Sequence, residues 1–173
     1  MDYKSLIREV PDFPKKGISF KDITTLLKDG PALRQVTDEL AAYFADLKPD
    51  VIVGAESRGF LLGAPLAYKM GCGLVVVRKP GKLPAAVAKV SYQLEYGEDS
   101  LEIHLDSIKA GQRVLIVDDL LATGGTMAAT AELVKKLQGE IVGFAFLIEL
   151  DDLKGRQKLE PYEVYSMVHY EGD

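Results

Sequence analysis

Asp118 and Asp119 directly follow Val114–Val117, a short apolar, β-branched run that suits a strand buried on both faces. Ala122-Thr123-Gly124-Gly125-Thr126 comes next and opens a helical pattern that runs to about Leu137. In that order, the three parts suit a ribose 5-phosphate. A helix N-terminus presents unpaired N–H groups and a positive dipole end to a phosphate. Adjacent glycines let the backbone curl around the anion, and Thr123 and Thr126 add hydroxyl donors. The two carboxylates can accept hydrogen bonds from the ribose 2- and 3-hydroxyls. Other phosphate motifs do not fit. A GxxxxGKS/T loop needs a lysine after its glycines, and no GxGxxG follows a strand. The plain alternative is an ordinary strand–turn–helix with its acidic pair in water. The position of that pair, at the end of a buried strand, weighs against it.

Two more strand ends carry chemistry. Glu56-Ser57-Arg58-Gly59 follows the apolar run Asp50–Ala55, and Arg78-Lys79 follows Gly73–Val77, with Lys82 close behind. Ligands in open α/β sheets gather beyond the carboxyl ends of strands, so Arg58 can point at the same crevice as Asp118. Arg78, Lys79 and Lys82 at its mouth suit a pyrophosphate, which Arg grips bidentately and Lys meets as a point charge. By itself a basic loop is usually a solvated surface. His104 and His169 have no carboxylate, cysteine or second histidine at ligand spacing in the sequence, so neither predicts a metal site.

The elements that must position these residues alternate. Tyr3, Leu6, Ile7 and Val10 fall at helical spacing and predict a short amphipathic helix ended by Pro11. Asp29 can cap a helix with Pro31 in its first turn and a stripe of Leu33, Val36, Leu40, Phe44 and Leu47. Strands are expected at Asp50–Ala55, Gly73–Val77, Val114–Val117 and Ile141–Ile148. A helical pattern covers Gly59–Met70; Pro65 within it predicts a regular helix starting nearer Gly63. Strand–helix alternation implies parallel pairing with right-handed crossovers. Lys79–Glu102 breaks the rhythm with Pro80, Gly81 and Pro84 and alternating residues over Lys89–Tyr96. We read it as a flexible antiparallel excursion rather than a core element; long ordered insertions of this kind are often lids.

DDLLATGGT resembles the PRPP (phosphoribosyl pyrophosphate) signature of the type I phosphoribosyltransferases. PDFPKKGISFKDIT, ESRGF, VRKPGKLP and LEYG, in that order, narrow the resemblance to the adenine phosphoribosyltransferase family, over roughly Pro11 to Gly155. The resemblance implies one domain over residues 1–173: a mostly parallel central sheet flanked by helices, a hood and base-recognition segment over about 1–30, and a flexible lid over about 79–102. It implies that Ala122–Thr126 with Asp118 and Asp119 hold the ribose 5-phosphate of PRPP or AMP. Glu56, Ser57 and Arg58, in a loop often carrying a cis peptide in this family, would bind pyrophosphate with Arg78, Lys79 and Lys82, and Tyr96 would help cover the PRPP. Ser19, Phe20 and Lys21 would recognise adenine: a backbone C=O and N–H can match its 6-amino group and N1, and Phe20 can stack on its face. Lys21 stands where the family often has arginine, so planar guanidinium stacking is lost there. Glu95 would face the base and exchange a proton with a purine nitrogen. Mg²⁺, held mainly by the substrate, is the implied cofactor, and a homodimer the implied assembly.

Composition sets outer bounds. The 173 residues, 47% hydrophobic and 27% charged, are ordinary for a globular domain. A net charge of −5 argues against a nucleic-acid binder that relies on a global positive field. No run approaches the ~18 apolar residues of a membrane span, and the charged N-terminus is unlike a signal peptide, so a cytoplasmic location is expected. Cys72, the single cysteine, reads as a structural thiol. Two other functions remain open: the same transfer to a 6-oxopurine or orotate, and a non-catalytic PRPP-sensing regulator. The base-segment and LEYG motifs disfavour the first. Acidic charge and the lack of room for a nucleic-acid-binding module disfavour the second.

Overall fold

The computed structural model describes residues 1–94 and 96–172. Glu95 lies outside the described residues. β1 (Arg8–Val10) and β2 (Phe20–Asp22) form a small antiparallel pair, followed by α1 (Thr24–Leu27) and α2 (Gly30–Phe44). Next come β3 (Val51–Ala55), α3 (Arg58–Met70) and β4 (Gly73–Val77). A hairpin of β5 (Val87–Gln93) and β6 (Glu98–His104) precedes β7 (Arg113–Leu121), α4 (Gly125–Lys136), β8 (Glu140–Leu150) and β9 (Val164–Tyr170). The central sheet has the order β4-β3-β7-β8-β9, and every pairing in it is parallel.

Both faces of this sheet are covered, which is why its strands read as continuous apolar runs. One face packs Ile52, Leu115, Val117, Ala145 and Leu147 under α2 and α3. The other packs Val53, Val114, Ile116, Phe144 and Phe146 under α4, through Met127, Leu133 and Val134. α2 starts where the sequence signals it: the Asp29 side chain accepts from the Ala32 N–H, with Pro31 in the first turn.

Four expectations are corrected. The N-terminal residues make only a 3-10 turn, Lys4–Leu6, before becoming β1. Tyr3 and Ile7 are buried as their spacing implies, but a helix that short is marginal, and pairing with β2, with Arg8 bonded to Asp22, prevails. α3 is continuous from Arg58 with Pro65 inside. The proline removes the one bond that would reach the Leu61 carbonyl, on a side of the helix where Leu61 is half exposed. β7 does not end at Val117: it continues to Leu121 because β8 runs alongside, pairing Asp118 with Phe146 and Leu121 with Glu149. Finally, the excursion is antiparallel as read, but its base belongs to the core, with Val90, Leu101 and Ile103 buried beside Val77 and Met127. β9 was not expected. It pairs with β8 after two 3-10 turns, Asp151–Leu153 and Gly155–Leu159, in place of a crossover helix.

Candidate active site at the carboxyl ends of the sheet

The loop between β7 and α4 is built by close backbone packing. Gly124 caps α4 with φ 87°, a conformation glycine adopts without strain. A Cβ placed there would lie 2.6 Å from the Gly155 carbonyl oxygen, and one on Gly155 would meet the Ala122 carbonyl oxygen. The two glycines, 31 positions apart, let the turn Gly155–Leu159 brace the loop from behind. The result is a cavity of about 210 Å³ lined by Arg58 and Asp118 to Met127, open at the amino end of α4. Its walls carry the amide groups of a helix start and two threonine hydroxyls, the donor set an anion requires.

The acidic pair is asymmetric. Asp119 is buried and accepts from Arg58 Nε at 2.6 Å. Asp118 accepts from the Asp119 N–H at 2.9 Å. Burial, followed by the charge of Asp119, raises the Asp118 carboxyl well above its ordinary value, although Arg58 pulls the other way. Burial pulls on the Arg58 guanidinium, but the charge and hydrogen bond of Asp119 outweigh it and keep it firmly protonated.

Arg58 enters from the start of α3, immediately after a cis peptide between Glu56 and Ser57. Gly59 allows this loop to lie on β7: a Cβ there would sit 3.1 Å from the Val117 carbonyl oxygen and 3.2 Å from Asp118 Oδ1. The Arg58 guanidinium also lies 5.6 Å from the centre of the Phe20 ring, which places the β1–β2 segment at the same crevice. Phe20 packs edge-on against Phe13, 5.2 Å away.

The remaining predicted residues divide. Glu56 faces its neighbouring loop: its Oε1 accepts from the Lys79 N–H and lies 3.6 Å from Arg78 Nε. These two contacts tie Glu56 to the Arg78–Lys79 loop. The Lys79 ammonium donates to Asp99 on β6. Lys82 and Tyr96 are exposed, Tyr96 to 89%. Ser19 Oγ is 3.4 Å from Glu9 Oε2. The Lys21 side chain is buried against Glu9 (3.2 Å), Ser19 (3.1 Å) and the Tyr170 ring (4.3 Å). Cys72 is half-buried, its thiol donating to the Pro49 carbonyl and held above its ordinary pKa by burial and then by Asp50. Sequence reasoning missed Gly155 and Tyr92; the Tyr92 hydroxyl lies 3.3 Å from Thr126 Oγ1. It also missed that folding brings His169 to 2.7 Å from Asp151 and 3.9 Å from Glu149, since both carboxylates lie on other segments.

An all-parallel sheet with a glycine-capped helix start, an acidic pair and Arg58 gathered at the carboxyl ends of its strands is the arrangement in which open α/β proteins bind their ligands. The phosphoribosyl transferase domain family model matches residues 23–171. The chain is 62% identical over 171 residues to an adenine phosphoribosyltransferase of Alkaliphilus oremlandii, covering 99% of each. Its structure superposes on that of an adenine phosphoribosyltransferase from Thermoanaerobacter pseudethanolicus with a TM-score of 0.95 at 55% identity, covering 98% of each chain. The Saccharomyces cerevisiae enzyme, complexed with an imino-altritol bisphosphate and adenine, gives 0.90 at 42% identity, covering 96% of each. The chain belongs to the adenine phosphoribosyltransferase family.

Proposed function

We propose that this crevice transfers the 5-phosphoribosyl group of PRPP to adenine, releasing AMP and pyrophosphate, with its residues in the following roles. The observation that carries this is the cavity shared by Arg58, Asp118, Asp119 and the Ala122–Thr126 loop. Main-chain N–H groups of Ala122–Thr126, with the hydroxyls of Thr123 and Thr126, hold the 5-phosphate, and that remote grip positions C1. Asp118 and Asp119 accept from the ribose hydroxyls. Ser57, Arg58, Arg78, Lys79 and Lys82 meet the pyrophosphate, with Glu56 holding their loops together and Tyr96 covering the substrate. Fixed cations at the leaving group stabilise charge that develops in the transition state. Phe20 stacks on adenine while main-chain groups of Ser19 and Lys21 read its edge. Glu95 exchanges a proton with the base. Lys79–Glu102 acts as the lid that excludes competing water.

Mg²⁺ takes hard oxygen ligands. In the crevice, the protein's carboxylate oxygens are those of Asp118 and Asp119, and Asp119 already accepts from Arg58, so Mg²⁺ would be held mainly by the substrate. When bound, Mg²⁺ would supply neutralisation of the departing pyrophosphate. Half-exposed Leu61 and fully exposed Tyr68 on α3, with Leu74 on the edge strand β4, support the expected homodimer. No described helix is long and apolar enough to cross a membrane; the cytoplasmic location belongs to the same reading.

A base panel with PRPP and Mg²⁺ tests the function. AMP should form from adenine, and hypoxanthine, guanine and orotate should be poorer by about 10⁴-fold or more, because a site aimed at the 6-amino group leaves a polar group unpaired with the others. Equal turnover of hypoxanthine would contradict the base assignment. No product from any base would contradict the transferase itself.

A further inference from the structure

We propose that Tyr92 is a positioning residue that links occupancy of the 5-phosphate loop to the placement of the β5–β6 hairpin. The inference rests on the assignment of Ala122–Thr126 as the phosphate loop. Tyr92 sits in β5, and its ring lies 3.8 Å from where a Gly125 side chain would begin, so it covers the loop directly. Its hydroxyl lies 3.3 Å from Thr126 Oγ1 and 3.4 Å from Asp99 Oδ2. The same Asp99 oxygen accepts from the Lys79 ammonium, and the Lys79 main chain is held by Glu56. One chain of polar contacts therefore runs from the phosphate loop, through the hairpin, to the two loops at the other end of the crevice.

Proton counting gives this chain a direction. Tyr92 and Thr126 have one hydroxyl proton each. Without phosphate, Thr126 donates to Tyr92, and Tyr92 donates to Asp99; both contacts are satisfied. A 5-phosphate carries no proton to share at neutral pH in its dianionic form, so it accepts the hydrogen bond that the Thr126 hydroxyl donates. Tyr92 then has one proton and two acceptors, Thr126 and Asp99. If it stays on Asp99, two oxygen lone pairs face each other 3.3 Å apart. If it turns to Thr126, a continuous relay Tyr92–Thr126–phosphate forms, each charge-assisted bond strengthening the next, and Asp99 keeps Lys79 as its partner. Phosphate binding thereby draws β5 onto the loop and leaves the Asp99–Lys79 pair free to follow the pyrophosphate. The hydroxyl matters and the ring does not, which separates this role from simple packing.

Hydrogen exchange with ribose 5-phosphate as the probe tests it, beside calorimetry on the same samples. In the wild-type protein, saturating ribose 5-phosphate should slow amide exchange across Val87–Gln93 and Glu98–His104. In Tyr92→Phe, binding should weaken by no more than about three- to tenfold, the scale of one hydrogen bond, while the hairpin protection is lost. Thr126→Ala, which leaves the hairpin sequence intact, should lose the same protection at saturation, and the double variant should bind no more weakly than Thr126→Ala alone. Equal protection of the hairpin in wild type and Tyr92→Phe, or additive losses in the double variant, would overturn the proposal. Failure of ribose 5-phosphate to bind the wild-type protein would instead overturn the phosphate-loop assignment, and this inference with it.

Discussion

The two ends of the crevice are built differently. The end we assign to the 5-phosphate is backbone: a glycine-capped helix start, pressed against Gly155. The opposite end is side chain: Arg58 and Arg78 are partly exposed, Lys82 and Tyr96 are open to solvent, and several of these groups are engaged with carboxylates of the protein. A backbone site costs little reorganisation when its anion arrives. A side-chain site must exchange internal partners, such as Asp119 for Arg58, for substrate groups. The difference teaches an order of tolerance: the phosphate end should fail abruptly when bulk is added, and the other end should fade one contact at a time.

The largest effect should come from Gly124→Val. It forces a branched side chain into a positive-φ position, against the Gly155 carbonyl. The kcat/KM for PRPP should fall by about a hundred- to a thousandfold, the scale of losing a preorganised donor site, and AMP binding should fall with it in calorimetry. Normal AMP affinity in this variant would place the 5-phosphate elsewhere. Asp119→Ala should come next, at about ten- to a hundredfold in kcat/KM for PRPP, since a hydrogen bond to a charged group is worth roughly 1.5–3 kcal/mol. Unchanged steady-state kinetics would remove Asp119 from the sugar.

Phe20→Ala should raise the Michaelis constant for adenine about two- to tenfold, the scale of one aromatic contact, with PRPP nearly unaffected. A larger change for PRPP than for adenine would show that Phe20 serves Arg58, 5.6 Å from its ring, and not the base. The smallest effect is thermal. The Asp118 carboxyl is raised above its ordinary value of 3.8, so it contributes stability below that pH and loses it as pH rises through the folded value. Asp118→Asn can still accept from the Asp119 N–H and never ionises. Its melting temperature relative to wild type should therefore climb from pH 4 upward, by roughly 2–4 °C per kcal/mol relieved. A difference that stays flat with pH would mean that Asp118 titrates normally.

The same contrast explains what was legible in the sequence. The phosphate end is local: Asp118 to Thr126 is one stretch of chain, and its residue types announce strand, acceptors and helix cap together. The parallel strands were legible because burial on both faces leaves apolar runs such as Val51–Ala55 and Val114–Val117. What was not legible depends on distant partners. β1 becomes a strand only because β2 pairs with it, and β9 only because β8 extends to Leu150. Nothing near Gly155 marks it as the backing of Gly124, and the alternation around Tyr92 shows a strand without showing what its hydroxyl touches. The place of the Lys21 side chain was not legible either: its contacts with Glu9 and the Tyr170 ring come from other segments of the chain.

Calorimetry of ribose 5-phosphate against the free protein, with a chelator present and no base or pyrophosphate, tests the preformed phosphate end most directly. The account predicts one site per chain, an affinity little changed when Mg²⁺ is restored, and no detectable binding to the Gly124→Val protein. Binding that appears only with Mg²⁺, or that survives in Gly124→Val, would contradict it.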